Sequence, residues 1–275
     1  MRLAGRGTTI AAAAVLLALA IALTAVAAAG AGRPVRIRTG NLDLTFRGAV
    51  EPNRLSRTKL TPISFDFAGK IKAVDGTHPP ALTEFVLETD PAGVLDVRGL
   101  PACPDGRLQS TTTARAEAAC RGALVGRGET TVQIAFPERQ PIPVRSPLLV
   151  VNGGRHGGVT TLYLHAYITV PTAVAIVVPV RIATAVAIVV PVRIARISGR
   201  YGLRSVAKIP AIAGGSGSVT RFDLEIEREF THRGQRRSIV SARCDDGVLE
   251  ARGEARFADG TIVEGNIFQG CTPLD

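Results

Sequence analysis

Two stretches of the chain alternate apolar and polar residues with a period of two. Ile63, Phe65, Phe67, Ile71 and Ala73 fall on one face, and Ser64, Asp66, Lys70 and Lys72 on the other. Phe222, Leu224, Ile226 and Phe230 alternate in the same way with Asp223, Glu225, Glu227 and Glu229. Successive side chains of an extended strand point to opposite faces. The pattern therefore predicts half-buried strands of an antiparallel sheet, apolar towards a core and charged towards water. Turn residues punctuate the pattern. Asp75-Gly76 and Pro79-Pro80 precede a strand over 82–88, and Asp246-Gly247 precedes one over 248–252. Asp259-Gly260 lies between Phe257 and Ile262, which predicts a type I′ hairpin with those two residues opposite each other. One short helix is expected over 110–120, where Ser110 and three threonines can cap a run of Ala, Arg and Glu. The expected fold is mainly β: an antiparallel β-sandwich or partly open barrel with roughly ten to thirteen strands and one short helix.

The period changes at two places. Residues 10–29 are apolar except for Thr24, follow Arg2 and Arg6, and exit through Ala27-Ala28-Ala29-Gly30-Ala31. A basic start, an apolar run and small residues at the exit predict a cleaved secretory signal over 1–31, followed by a single β-rich domain over 32–275. The alternative is that residues 10–29 stay as a membrane anchor, since the run is just long enough to span a bilayer. The second place is a perfect tandem duplication. Residues 172–183 read T-A-V-A-I-V-V-P-V-R-I-A, and residues 184–195 repeat them without a difference. Pro179 and Pro191, with Arg181 and Arg193, rule out a spanning helix there, while Val and Ile favour a strand. A strand through both copies would be too long for a sheet. One copy, more naturally the second, is expected in the sheet.

Export fits the cysteines. Cys103, Cys120, Cys244 and Cys271 form no C-x-x-C pair and have no histidine within a few residues, so two disulfides are expected rather than a metal site. Local pairing, Cys103 with Cys120 and Cys244 with Cys271, is favoured among the three possible connectivities.

The 275 residues carry 33 Lys+Arg against 23 Asp+Glu, a net charge of +10. From Arg139 to Phe222 there is no acid against ten basic residues. Anionic cell-envelope polymers or a membrane surface are the candidate partners, although the cations are isolated in sequence and the preferred reading spreads them around a solvated surface. With no Trp and only 3 Tyr, stacking platforms for nucleic acid are scarce, and no specific nucleic-acid partner is expected.

Candidate chemistry is thin. Four histidines are present: His78 in a turn, His156 within G-G-R-H-G-G, His165 sharing a face with Tyr163 and Tyr167, and His232. The loop at His156 has the form of an esterase oxyanion loop, but no G-x-S-x-G follows; Gly214 to Ser218 ends on the wrong residue. Phosphate-loop, dinucleotide, H-E-x-x-H and calcium-loop patterns are missing, so no cofactor, metal ligand or catalytic residue is assigned. Three segments, C-P-D-G-R-L-Q-S-T-T-T-A-R-A-E-A-A-C-R-G-A-L-V-G-R-G (103–128), A-I-A-G-G-S-G-S-V-T (211–220) and F-A-D-G-T (257–261), resemble uncharacterised exported β-rich proteins of high-GC Gram-positive bacteria. The resemblance implies export and a β-rich fold, and brings no activity or site residue with it. Together these readings give an exported, non-enzymatic binding or structural protein of the cell envelope or extracellular space. The alternatives are a secreted hydrolase using His156 or His165, and a carrier of an apolar ligand.

Overall fold

The computed structural model describes residues 32–136, 139–169 and 185–274. The signal or anchor expected at 1–31 and the first repeat copy at 172–183 lie outside the described residues. Along the chain run β1 (Val35–Thr39), β2 (Leu42–Glu51), β3 (Arg54–Ser56), β4 (Thr61–Pro62), β5 (Ser64–Ala73), β6 (Leu82–Thr89), β7 (Gly93–Leu95) and one helix, α1 (Thr113–Cys120). Then follow β8 (Leu124–Phe136), β9 (Arg139–His156), β10 (Val159–Thr169), β11 (Ala185–Arg196), β12 (Leu203–Lys208) and β13 (Gly217–Ile226). The chain finishes with β14 (Glu229–His232), β15 (Gln235–Ser238), β16 (Val240–Ala242), β17 (Val248–Phe257), β18 (Ile262–Gly270) and β19 (Thr272–Leu274).

Twelve strands form one antiparallel sheet in the order β1-β2-β5-β13-β8-β9-β10-β11-β12-β6-β17-β18. The sheet curls until its two ends meet, giving a nearly closed barrel rather than the sandwich also expected from sequence. Closure between β1 and β18 is by packing. A methyl group added at Gly265 of β18 would stand 2.4 Å from Ile37 Cδ1 of β1, so the Ile37 side chain of β1 packs into the space left by the missing side chain at position 265. Packing β1 against β18 covers edges that an open twelve-stranded sheet would present to other chains.

The two-residue period is realised. Phe65, Phe67, Ile71 and Ala73 of β5 point inward, as do Phe222, Leu224 and Ile226 of β13. The second stretch stops sooner than its pattern suggests. β13 ends at Ile226, and Phe230 belongs to the separate β14–β15 hairpin. The Asp259-Gly260 turn also differs from expectation. Arg256 pairs with Ile262, the Phe257 N–H donates to the Thr261 carbonyl, and the Gly260 N–H donates to the Phe257 carbonyl. Only Gly260, at φ 87°, is left-handed, whereas a type I′ turn requires positive φ at both central residues. The loop is therefore one residue longer, Phe257 goes inward, and Ile262 is exposed.

The second repeat copy supplies β11, which pairs with β10 from Thr169↔Ala185 to Thr160↔Ile194. Ile188, Val190, Val192 and Ile194 face the interior. β12 pairs only from Val192 onward, so Pro191 sits just beyond the ladder on that side, where a missing N–H is tolerated.

Two additions cover the barrel. At one end, β4, β16 and β7 form a small sheet, tied to the end of β18 by the Cys244–Cys271 disulfide. On the outer wall, α1 and the loop before it lie over Leu149 and Val151 of β9, stapled by Cys103–Cys120. Thr112 caps α1, its hydroxyl accepting from the Arg115 N–H at 3.4 Å. The helix begins two to three residues later than the hydroxyl run alone implied, because Thr112 is used as the cap. Both cysteine pairs are the local ones, and no cysteine is free among the described residues. No helix among them is long and apolar enough to cross a membrane.

Candidate functional site

Eight strands can close a barrel whose side chains just fill it; twelve leave room. Here the barrel interior holds an open-mouthed cavity of about 300 Å³. Its wall is built from the inward faces of β2, β5, β6, β8, β9, β10, β11, β12, β13, β17 and β18, with β7 and β16 of the small sheet at one end, and almost all of it is aliphatic or phenyl carbon. Four phenylalanines organise one side. Phe46 of β2, Phe67 of β5 and Phe222 of β13 meet Phe85 of β6, with centroid distances of 5.6 Å for Phe46–Phe85, 5.5 Å for Phe67–Phe85 and 5.3 Å for Phe67–Phe222. Position 69 of β5 makes room for this cluster, since a Cβ there would stand 2.4 Å from the Phe222 ring. The cluster pinches one side of the lumen. The aliphatic faces of β8 to β12 enclose the rest.

Polar groups are few. Thr89, Thr130, Ser205 and Ser241 bring hydroxyls to the wall, and Gln269 an amide. The Thr130 hydroxyl is used by the fold, donating to the Arg221 carbonyl at 3.0 Å. Among the described residues, the charged ones contributing to the wall are Asp90 and Glu250, both at the rim. Asp90 accepts from the backbone N–H groups of Ala92 and Glu250. Glu250 turns outward to Arg200, at 2.7 Å, and to the Tyr201 hydroxyl, at 3.0 Å. No cation enters the lumen wall among the described residues.

The histidines singled out by sequence lie outside this lumen. His156 is exposed at the end of β9, where the chain turns into β10. His165 points to the outer face of β10 and is fully covered by the stapled segment; its Nε2 lies 3.0 Å from the Thr111 carbonyl. Burial pushes its pKa below the ordinary histidine value, against the opposing pull of the Thr111 hydrogen bond. Neither imidazole has a side-chain hydroxyl or carboxylate within hydrogen-bonding distance among the described residues. Tyr163 shares the outer face and has its pKa raised by burial, with Asp105 nearby adding to the shift.

One hydroxyl–imidazole pair escaped sequence reasoning because its members are 140 residues apart. Ser218 Oγ lies 3.0 Å from His78 Nε2 and donates to the Pro79 carbonyl at 2.7 Å. A hydroxyl has one proton and a carbonyl none, so the imidazole must donate to Oγ here. Activation of a nucleophile needs the reverse arrangement. Ser218 is also buried, at 1% exposure. The pair latches the 74–81 loop to the start of β13.

Outside, charge is sorted along the strands. Lys70 pairs with Arg221, Arg221 with Thr131, and Thr131 with Arg145, which makes a row of three cations on β5, β13 and β9, with Thr131 of β8 between the last two. One step towards the capped end, Glu225 pairs with Asp66, and Asp223 with Glu129. Of the ten cations in the acid-free stretch, Arg200 and Arg204 are bound to Glu250 and Glu88, and Arg181 lies outside the described residues. On β2, Asp43 is almost completely buried beneath Arg36, Arg38 and Lys72. The Arg36 guanidinium, helped by the other two cations, holds its carboxyl well below the usual range.

Among the described residues, no group of three or more His, Cys, Asp or Glu is placed to hold a metal ion. Comparison with protein-family models, curated proteins and solved structures gave no match.

Proposed function

We propose that this chain is an exported, non-enzymatic binding protein that holds a small apolar molecule inside its barrel. The observation that carries the reading is the lumen: about 300 Å³ of almost wholly apolar space with no charged side chain directed into it among the described residues. Small-molecule sites have this character, concave and apolar with a few polar groups, and start at about this volume. A core needed only for stability would be filled, because packed interiors leave few voids larger than a water molecule. Export is supported by the apolar N-terminal sequence and is compatible with two disulfides. The hydrolase alternative loses its support, since His165 is covered and His156 stands by itself. Titration with the uncharged fluorophore N-phenyl-1-naphthylamine tests the reading. Saturable enhancement at one site per chain is expected, and Ala207→Trp, which fills the lumen from β12, should abolish it while circular dichroism stays unchanged. Absence of saturable uptake overturns it.

A second, compatible reading concerns the outer wall. Like charges directly opposite on neighbouring strands repel, so the Lys70–Arg221 pair, extended by Arg145, favours contact with an anionic polymer of the cell envelope. Salt-sensitive retention on heparin, reduced in the Lys70→Gln, Arg221→Gln, Arg145→Gln triple variant, is the expected result. Elution indifferent to salt or to the triple change argues against it.

A further inference from the structure

The lumen contains a polar feature that the barrel itself does not use. In the β6–β12 ladder, Thr89 pairs with Leu203 and Leu87 with Ser205. Thr89 and Ser205 are therefore diagonal neighbours on the same inward face, about 7–8 Å apart. Neither side-chain hydroxyl makes a hydrogen bond within the described residues, unlike Thr130 on the β8 wall. Both residues are only partly buried, so the two hydroxyls are open to the lumen and stand ready, on one wall, to hydrogen-bond a guest in place of water.

We infer that the barrel ligand is an uncharged molecule with an apolar body and a hydroxyl or carbonyl group, which the Thr89 and Ser205 hydroxyls receive. This rests on the lumen being a ligand site, as proposed above. Charge decides against an ionised ligand. A carboxylate or ammonium entering this space would leave its hydration behind and find no opposite charge, since Asp90 and Glu250 are at the rim and already engaged. A hydroxyl can both donate to and accept from Thr89 and Ser205, whereas a carbonyl accepts from both. Size follows from volume. A cavity of about 150 Å³ takes up benzene, so about 300 Å³ suits a body of about ten to twenty carbon atoms.

The experiment is displacement of N-phenyl-1-naphthylamine from the full exported chain by 1-dodecanol and by dodecanoate at pH 8. The alcohol is expected to displace the probe at a concentration at least tenfold lower than the carboxylate. In the Thr89→Val, Ser205→Ala double variant, dodecanol should weaken about three- to tenfold, the worth of one or two neutral hydrogen bonds, while probe binding is kept. Dodecanoate displacing as well as dodecanol overturns the inference. So does an unchanged dodecanol response in the double variant, which would mean that water alone occupies the two hydroxyls; in both cases the apolar site survives. Failure of the probe itself to bind the wild-type chain removes the ligand site and this inference with it.

Discussion

Phe85 reaches across the barrel to Phe67, ring centroid to ring centroid at 5.5 Å, although β6 and β5 belong to separate parts of the sheet. This contact sets the shape of the lumen, because it joins the walls on one side and leaves the aliphatic faces of β8 to β12 apart on the other. Phe85→Ala is therefore expected to do two things. It should cost about 3 kcal/mol, the lower end for a phenylalanine truncation, since Phe85 is only partly buried. It should also widen the lumen, so that longer alcohols displace the fluorophore more effectively than they do from the wild type. Urea midpoints at constant slope and a chain-length series check both.

Acid should destabilise the fold through its low-pKa carboxylates. The Arg98 guanidinium, hydrogen-bonded to Asp96 and reinforced by Arg237, holds that carboxyl down to about 2. A carboxyl with a lowered folded pKa contributes stability that is present above its ordinary 3.8 and lost as pH falls through its folded value. Arg98 is 65% exposed, so with solvent screening the contribution is about 1 kcal/mol. Asp96→Asn should lower stability at pH 7 and make no difference below pH about 2, in denaturant melts across that range.

The opposite sign holds at Asp66 and Glu225, which face each other across β5 and β13. Burial raises both pKa values first; Arg47 opposes it at Asp66, repulsion from Glu51, Asp223 and Glu227 adds to it at both, and Asp66 adds to it at Glu225. Their charged forms are disfavoured in the fold, so their contribution worsens as pH rises from the ordinary carboxylate range through the raised values. Glu225→Gln should raise stability at pH 7 by a few tenths of a kcal/mol, about what a like-charge pair costs, and should be neutral at pH 3.

The duplication should be dispensable. Thr169 and Ala185 pair directly across β10 and β11, and the first copy lies wholly between them in sequence. Because the copies are identical, removing either gives the same chain, in which only Val170, Pro171 and Thr184 join the strands. A three-residue connection is ordinary for a hairpin. The deletion variant is expected to fold with similar or higher stability and to keep fluorophore binding. A variant that fails to fold would show both copies to be structural.

Much of this architecture was legible because it is local. Period-two runs around Phe67 and Leu224 mark the inward faces, each cysteine finds its partner within its own segment, and the Thr-rich run caps α1. What escaped depends on distant pairing. Closure at Gly265 and Ile37, and the latch between His78 and Ser218, have no local pattern. The Asp259-Gly260 pair suits two loop lengths, and the choice between them moved Ile262 outside. The ligand-carrier reading was open in the sequence but weak, because a lumen depends on strand number and closure, and Thr89 and Ser205 are isolated hydroxyls in apolar strands.

The central claim is that an apolar molecule occupies the barrel interior. Methyl-detected NMR of the full chain titrated with 1-dodecanol tests it most directly. The account predicts saturable shifts, and intermolecular contacts, at the methyl groups of Leu87, Leu148, Ile188 and Val190 in the lumen wall, with Leu149 and Val151 under the outer helix unmoved. Shifts confined to exposed apolar residues such as Val74 and Ile262, with the lumen methyls unchanged, would contradict it.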